Sequence, residues 1–377
     1  MSGIYLHIPF CKQACHYCDF HFSTSLKKKT ELVDALCEEL RLRKDELKNT
    51  VQTIYFGGGT PSLLTSEELQ QILETIYKNY TISETPEITL EANPDDLTLE
   101  KIKQLSKSPV NRLSIGIQSF FEEDLKWMNR AHNASEALDC ITMAKKHFEN
   151  ITIDLIYGIP GLTSQRWLKN IEIAISQNIP HLSCYALTVE PKTALESFIK
   201  KGVVPAVEDE LSQQHYEMLL SEMEQAGYEN YEFSNFGKEG FHSRNNTAYW
   251  QGKTYLGIGP SAHSFDGNSR SWNVSNNTKY IKSIGAGFLP LEREILSKTD
   301  KYNEYIMTGL RTKWGVSSEK VAADFGLEFK SYLLNQAKPL LDKELLILED
   351  RVLKVTKKGK FLSDGIAADL FLVNLDT

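Results

Sequence analysis

The chain has 377 residues, 41% of them hydrophobic and 24% charged, which is ordinary for a globular protein of more than one domain with a sizeable core. Its 42 Lys and Arg against 50 Asp and Glu leave a formal charge of −8, which disfavours non-specific binding to nucleic acid or to an anionic membrane surface. No apolar run approaches the roughly 18 residues needed to cross a bilayer, and "MSGIYLHIPFC" lacks the basic start and apolar stretch of a signal peptide, so a cytoplasmic protein is expected.

The first half alternates β-rich runs with amphipathic stretches of helical length. Strands are predicted at Ile4–Ile8, Thr53–Phe56, Glu87–Ala92, Arg112–Ile117, Ile151–Tyr157 and His181–Leu187, with helices near 30–48, 66–79, 98–107, 134–148 and 164–177. "LTSEELQQILETIY" shows a helix start, a Thr or Ser cap with Glu shortly after. Six β/α units in series argue for a parallel sheet, doubly wound or an open barrel. Tyr5, Gly57–Gly59, Glu91, Gln118, Asp154 and Thr188 are expected late in a strand or just beyond it. Polar residues at so many strand ends are hard to explain as core, and a β/α barrel would gather them on one face.

In the loop after the first strand, Cys11, Cys15 and Cys18 lie within eight residues. Cytosolic disulfides are rare, and soft thiolates suit zinc or an iron–sulfur cluster. A closed zinc site needs four protein ligands, and His7, His16 or His21 could supply the fourth. A cubane cluster on three cysteines would instead leave one iron open. Cys37, Cys140 and Cys184 stand alone in apolar surroundings and read as small buried hydrophobes.

After about residue 200 the rhythm changes. A helix is predicted at Asp209–Ala226, followed by a region rich in Gly and Asn and then "LGIGPSAHSF". From about 300 the pattern reads helix, helix, helix and a hairpin in "LLILEDRVLKVT", which suggests a winged helix. Residues 298–377 carry 13 Lys and Arg against 12 Asp and Glu, no basic footprint, so a packing module is expected there rather than a nucleic-acid reader. The predicted divisions are 1–200, a partial barrel; 201–297, its extension; and 298–377, a winged-helix-like α+β unit.

C-x3-C-x2-C after a first strand resembles the radical S-adenosylmethionine (SAM) superfamily. With "YFGGGTPS", "LEANPDDL", "RLSIGIQSF", "NRAHN", "DLIYGIPG" and "YLGIGPSAHSF", the chain resembles its oxygen-independent coproporphyrinogen oxidase branch over almost its whole length. The resemblance implies an α/β fold, a partial (β/α)6 barrel, and a [4Fe–4S] cluster on Cys11, Cys15 and Cys18 with SAM on the fourth iron. It implies that Gly58, Gly59 and Thr60 approach the methionine end of SAM, that Glu91, Gln118, Arg130 and Asp154 contact it, and that Tyr5, Tyr17 and Thr188 lie nearby. The implied chemistry is reductive cleavage of SAM to methionine and a 5′-deoxyadenosyl radical.

Within that branch, the decarboxylating enzymes carry a fourth cysteine two residues after the third, and an N-terminal extension. Here the first position is Phe20, and the chain begins almost at the strand. Both features resemble the heme-chaperone group, HemW, whose members bind heme and pass it to acceptor proteins, with membrane respiratory enzymes among the acceptors the resemblance suggests. Coproporphyrinogen decarboxylation is therefore not expected, and oxidative decarboxylation remains the alternative function. The group's His-Asn-x-x-Tyr-Trp motif reads "NNTAYW" here, with Asn245 in place of the histidine and Asn246, Tyr249 and Trp250 matching. His242 and His263 are the imidazoles nearest in sequence that could stand in.

Overall fold

Six strands lie side by side, all parallel, in the order in which they occur in the chain: β1 (Ser2–Ile8), β2 (Val51–Gly58), β3 (Ile82–Ala92), β4 (Arg112–Gln118), β5 (Asn150–Tyr157) and β6 (His181–Ala186). The computed structural model describes residues 2–373. A doubly wound sheet would reverse its strand order at a switch point; sequential order is that of a β/α barrel. Helices Lys29–Leu42, Ser66–Asn79, Leu99–Leu105, Ala134–Ala144 and Ser164–Ser176 form the crossovers; the first stops at Leu42, well short of its predicted end at 48, and the others lie close to their predicted spans. Thr65 caps the second of these: its side chain accepts from Glu68 N at 3.2 Å, and the Glu68 carboxylate accepts from Thr65 N at 2.8 Å.

The sheet does not close. On one side β6 pairs antiparallel with β8 (Asn235–Gly237), which pairs with β7 (Glu229–Glu232). On the other, β1 pairs in parallel with β9 (Thr254–Ile258), beyond which lie the antiparallel β10 (His263–Phe265), β11 (Ser269–Asn273) and β12 (Leu291–Ile295). The seventh parallel strand, β9, starts at Thr254 and runs into "YLGIGPSAHSF"; it was not among the predicted strands.

Tyr216, Leu256, Tyr280 and Ile284 from the segment after residue 200 share one apolar core with β1–β6 and their helices. A second core, from Tyr302 to Leu370, belongs to helices Lys298–Leu310, Ser318–Phe325 and Leu327–Asp342 and to a small sheet of β13 (Val316–Ser317), β14 (Leu346–Glu349) and β15 (Val352–Val355). Helices followed by a hairpin match the expected winged-helix shape. Cys37, Cys140 and Cys184 are buried in the first core, as expected of small hydrophobes.

Candidate functional site

The cysteine loop leaves β1 at Ile8 and closes on itself, with Ser23 N donating to Pro9 O at 2.9 Å and Cys11 N to Ser23 O at 3.1 Å. It is pinned to the segment after β4: His16 N donates to Met128 O at 3.2 Å, Gln13 to Asn129, and Asn129 to Ala14 O at 2.7 Å. Lys12 pairs with Asp95 and Asp96. Cys11, Cys15 and Cys18 are half-buried free thiols. Burial raises the Cys11 thiol, and burial pushes that of Cys18 up to about 12, so holding thiolates here requires a cation.

The histidines left open as a fourth ligand are engaged elsewhere. His16 Nδ1 bonds Trp127 O at 2.9 Å, His21 Nε2 bonds Asn277 Oδ1 at 2.7 Å, and His7 lies between Tyr5 and His21 O. Among the described residues no three His, Cys, Asp or Glu side chains converge to hold a single metal ion. A cluster with iron at several corners spreads its ligands further apart, and three thiols with no fourth protein donor fit a cubane with one open iron.

The end of β2 makes room beside the loop. Gly58 has φ +106°, and a Cβ there would meet the His7 ring at 2.6 Å. A Cβ on Gly59 would meet Phe10 O at 2.6 Å, so only glycine lets this backbone approach the cysteine loop. Thr60 is buried and accepts from Asn93 Nδ2 at 3.2 Å.

Above Gly116 three polar side chains meet: a Cβ there would lie 3.0 Å from Gln118 Nε2, 3.1 Å from Arg130 Nη2 and 3.5 Å from Asn93 Oδ1. Gln118, the last residue of β4, has φ +65°, a left-handed conformation uncommon for a residue with a side chain and most often kept where function requires it. Burial raises the Tyr17 phenol; the Arg130 charge opposes the rise, and the thiols Cys15 and Cys18 add to it.

Glu91 is the penultimate residue of β3 and accepts from Tyr55 Oη at 2.7 Å. Burial pushes its carboxyl up to about 7, with the nearby Asp154 adding to the rise and the Tyr55 bond opposing it. Asp154 is likewise raised to about 7 by burial, against hydrogen bonds from Ser183 and Ser114 and the charges of Arg130 and Arg112. Glu91 and Asp154 lie deep in the fold yet keep accessible surface, because they face a cavity of about 40 Å³ inside the barrel.

Two expectations change. Tyr5 and Asp154 are not at strand ends: Tyr5 is the fourth residue of β1 and Asp154 the fifth of β5, so both point into the barrel below its rim. Thr188 is exposed, two residues past β6, and makes no side-chain hydrogen bond to the others. The structure adds Tyr55, Asn93, Ser114, Arg112, Ser183 and Tyr185, none of them predicted. Tyr55 and Asn93 fall inside "YFGGGTPS" and "LEANPDDL", the signal that could have found them.

The Asn245 motif lies at the other end of the strands. Its helix, Arg244–Trp250, closes the base of the barrel: Glu87, early in the paired part of β3, accepts from Arg244 N at 3.0 Å and Asn245 N at 2.9 Å. Asn245 Oδ1 accepts from Thr53 Oγ1 at 3.1 Å. His242 stacks on Tyr231 at 4.2 Å beside Glu229. His263 is exposed on β10 and stacks on Trp272 at 6.0 Å.

A radical SAM superfamily model matches residues 5–174, and a HemN C-terminal domain model matches 296–362. The chain is 34% identical to heme chaperone HemW of Bacillus subtilis, over 97% of this chain and 98% of the relative. It is 34% identical to heme chaperone HemW of Lactococcus lactis, over 100% and 98%. Among solved structures, the radical SAM enzyme coproporphyrinogen III oxidase (HemN) of Escherichia coli superposes with a TM-score of 0.85 at 22% identity, covering 98% of this chain and 90% of that one, which establishes the shared fold. With end-to-end identity above 30% to several relatives of one kind, the chain belongs to the HemW family of the radical SAM superfamily.

Proposed function

We propose that the chain is a heme chaperone, binding heme and passing it to acceptor proteins. Its radical SAM scaffold holds a [4Fe–4S] cluster on Cys11, Cys15 and Cys18. SAM lies against Gly58, Gly59, Thr60, Glu91, Gln118, Arg130 and Asp154, with Tyr5 and Tyr17 flanking and Thr188 outside. The observation that carries this reading is full-length similarity to relatives named heme chaperones. Phe20 supports it: the position two residues after Cys18 holds a phenyl ring, 65% exposed, rather than a thiol.

When bound, the cluster and SAM supply one-electron reductive chemistry. This chain's residues supply the rest. The glycines of β2 admit close backbone approach, Arg130 sets a fixed positive charge beside Cys15, and Tyr55 holds the Glu91 carboxyl in place.

Heme is assigned to the segment 201–297. There Tyr249 (49% exposed), Tyr255 and Phe265 form a connected aromatic row, with ring centroids 5.5 and 6.4 Å apart, and β10 continues it to the His263–Trp272 stack. His263 makes no side-chain hydrogen bond among the described residues and is the proposed axial ligand; His242 is held against Tyr231 and Glu229. The chain is read as three parts, the barrel (1–200), its extension (201–297) and the C-terminal module (298–377), acting in the cytoplasm. No helix among the described residues is long and apolar enough to cross a membrane.

Anaerobic reconstitution with iron and sulfide, followed by hemin titration and a coproporphyrinogen III assay with SAM and reductant, tests this. About one heme per chain and no porphyrinogen turnover are expected. Multiple turnovers of coproporphyrinogen would establish the decarboxylase instead.

A further inference from the structure

We propose that the cavity between the barrel's extension and the C-terminal module binds a small anion carrying carboxylate or phosphate groups. This site is distinct from the cluster, SAM and heme sites and does not depend on the heme reading. The cavity measures about 230 Å³. Glu232 at the end of β7 forms one wall; Arg311 and Lys313, Lys354 on β15, and Lys360 and Ser363 form the others. The two parts are joined along its rim, where Glu232 bridges to Thr312 and Lys313 N donates to Tyr231 O at 3.0 Å.

Four cations thus face one carboxylate. Arg311 reaches Asp364 at 2.8 Å, Lys313 reaches Glu229 at 2.6 Å and Lys354 reaches Glu349 at 3.4 Å. Lys360 forms no ion pair among the described residues, and its ammonium meets only the side-chain oxygen of Asn230. Ser363, 2% exposed, has an Oγ with no partner, and the buried Nε of Arg311 has none either. Native structures seldom leave buried donors unpaired without a reason. An ammonium without an ion pair on this cavity, with an unpaired hydroxyl and an unpaired guanidinium N–H buried in its lining residues, complements an acceptor-rich anion. Burial lowers Lys360 to about 8 and raises Glu232 to about 7, so the ammonium is short of solvation and the lone carboxylate opposes an anion only weakly.

An anion here would bridge the two parts and stabilise the chain by mass action. The test is thermal unfolding of the full chain, without heme, in rising inorganic phosphate or citrate at ionic strength held constant with chloride. A saturable rise in Tm is expected with at least one probe, and the one that acts assigns the phosphate or carboxylate class. Lys360→Met or Ser363→Ala should weaken the apparent affinity by about tenfold or more. Lys338→Met, at an exposed lysine on the helix Leu327–Asp342 outside the cavity, should leave it unchanged. If Lys360→Met fails to fold, Lys354→Gln takes its place. No saturable rise with either probe, or a rise that the cavity variants leave intact, would overturn the proposal and leave ordered water to satisfy these groups.

Discussion

Arg130 donates an Nη1 N–H to the Sγ of Cys15 at 3.3 Å, while its Nη2 reaches Asn93 Oδ1 at 2.7 Å and Gly116 O at 2.9 Å. One planar guanidinium therefore ties the thiol loop after β1 to the ends of β3 and β4. A lysine would keep the charge but could not span the three acceptors at these positions. Arg130→Lys should retain iron on reconstitution but lose about tenfold in SAM affinity, on the scale of one hydrogen bond to a charged group. Equilibrium dialysis with SAM and iron analysis on one preparation measure both.

The three loop thiols and two of the core thiols should separate cleanly. Cys11→Ala, Cys15→Ala and Cys18→Ala should each abolish the brown iron–sulfur absorbance. Cys37→Ala and Cys184→Ala, which remove buried core sulfurs, should keep it and lower only the unfolding midpoint. Iron uptake undiminished by any loop substitution would count against the assignment.

Glu91 and Asp154, both raised to about 7, give a pH signature. Between their ordinary values near about 4 and their folded values, these acids hold protons in the folded chain that the unfolded chain has released. Stability is therefore lost as pH rises through the folded values, and Glu232, raised to about 7, acts in the same sense. His7, His132 and His215 are lowered to about 4 by burial and have the opposite effect, which is only half complete at about pH 6.5 and is spent by about pH 7.5. The histidines are common to wild type and variant, so the difference between the two isolates the carboxyls. Relative to the wild-type metal-free chain, Glu91→Gln with Asp154→Asn should gain a few degrees in Tm between about pH 6.5 and 8.

Asn245 and His263 should part company. Asn245→Ala removes the acceptor of Thr53 Oγ1 and should cost about 1 kcal/mol of stability with little change in heme affinity. His263→Ala should shift the Soret band and weaken heme binding by about tenfold or more. Parallel hemin and urea titrations of both variants decide it; equal heme affinity in wild type and His263→Ala would remove His263 as the ligand.

The six strands and five crossover helices were legible because their periodicity is local: β-rich runs, the Thr65–Glu68 cap and helical spacing repeat within each segment. The spacing of Cys11, Cys15 and Cys18 was equally local and pointed to the cluster. Which polar residues face one another was not. Tyr5 and Asp154 sit mid-strand and work from below the rim because the sheet curls around a hollow centre, a property of strand order and tilt rather than of any one segment. Asn245, adjacent in sequence to residues thought to bind heme, proved to be a plug at the base of the barrel. Its partners Thr53 and Glu87 lie far off in the chain, and only the folded sheet brings them to the helix that closes it.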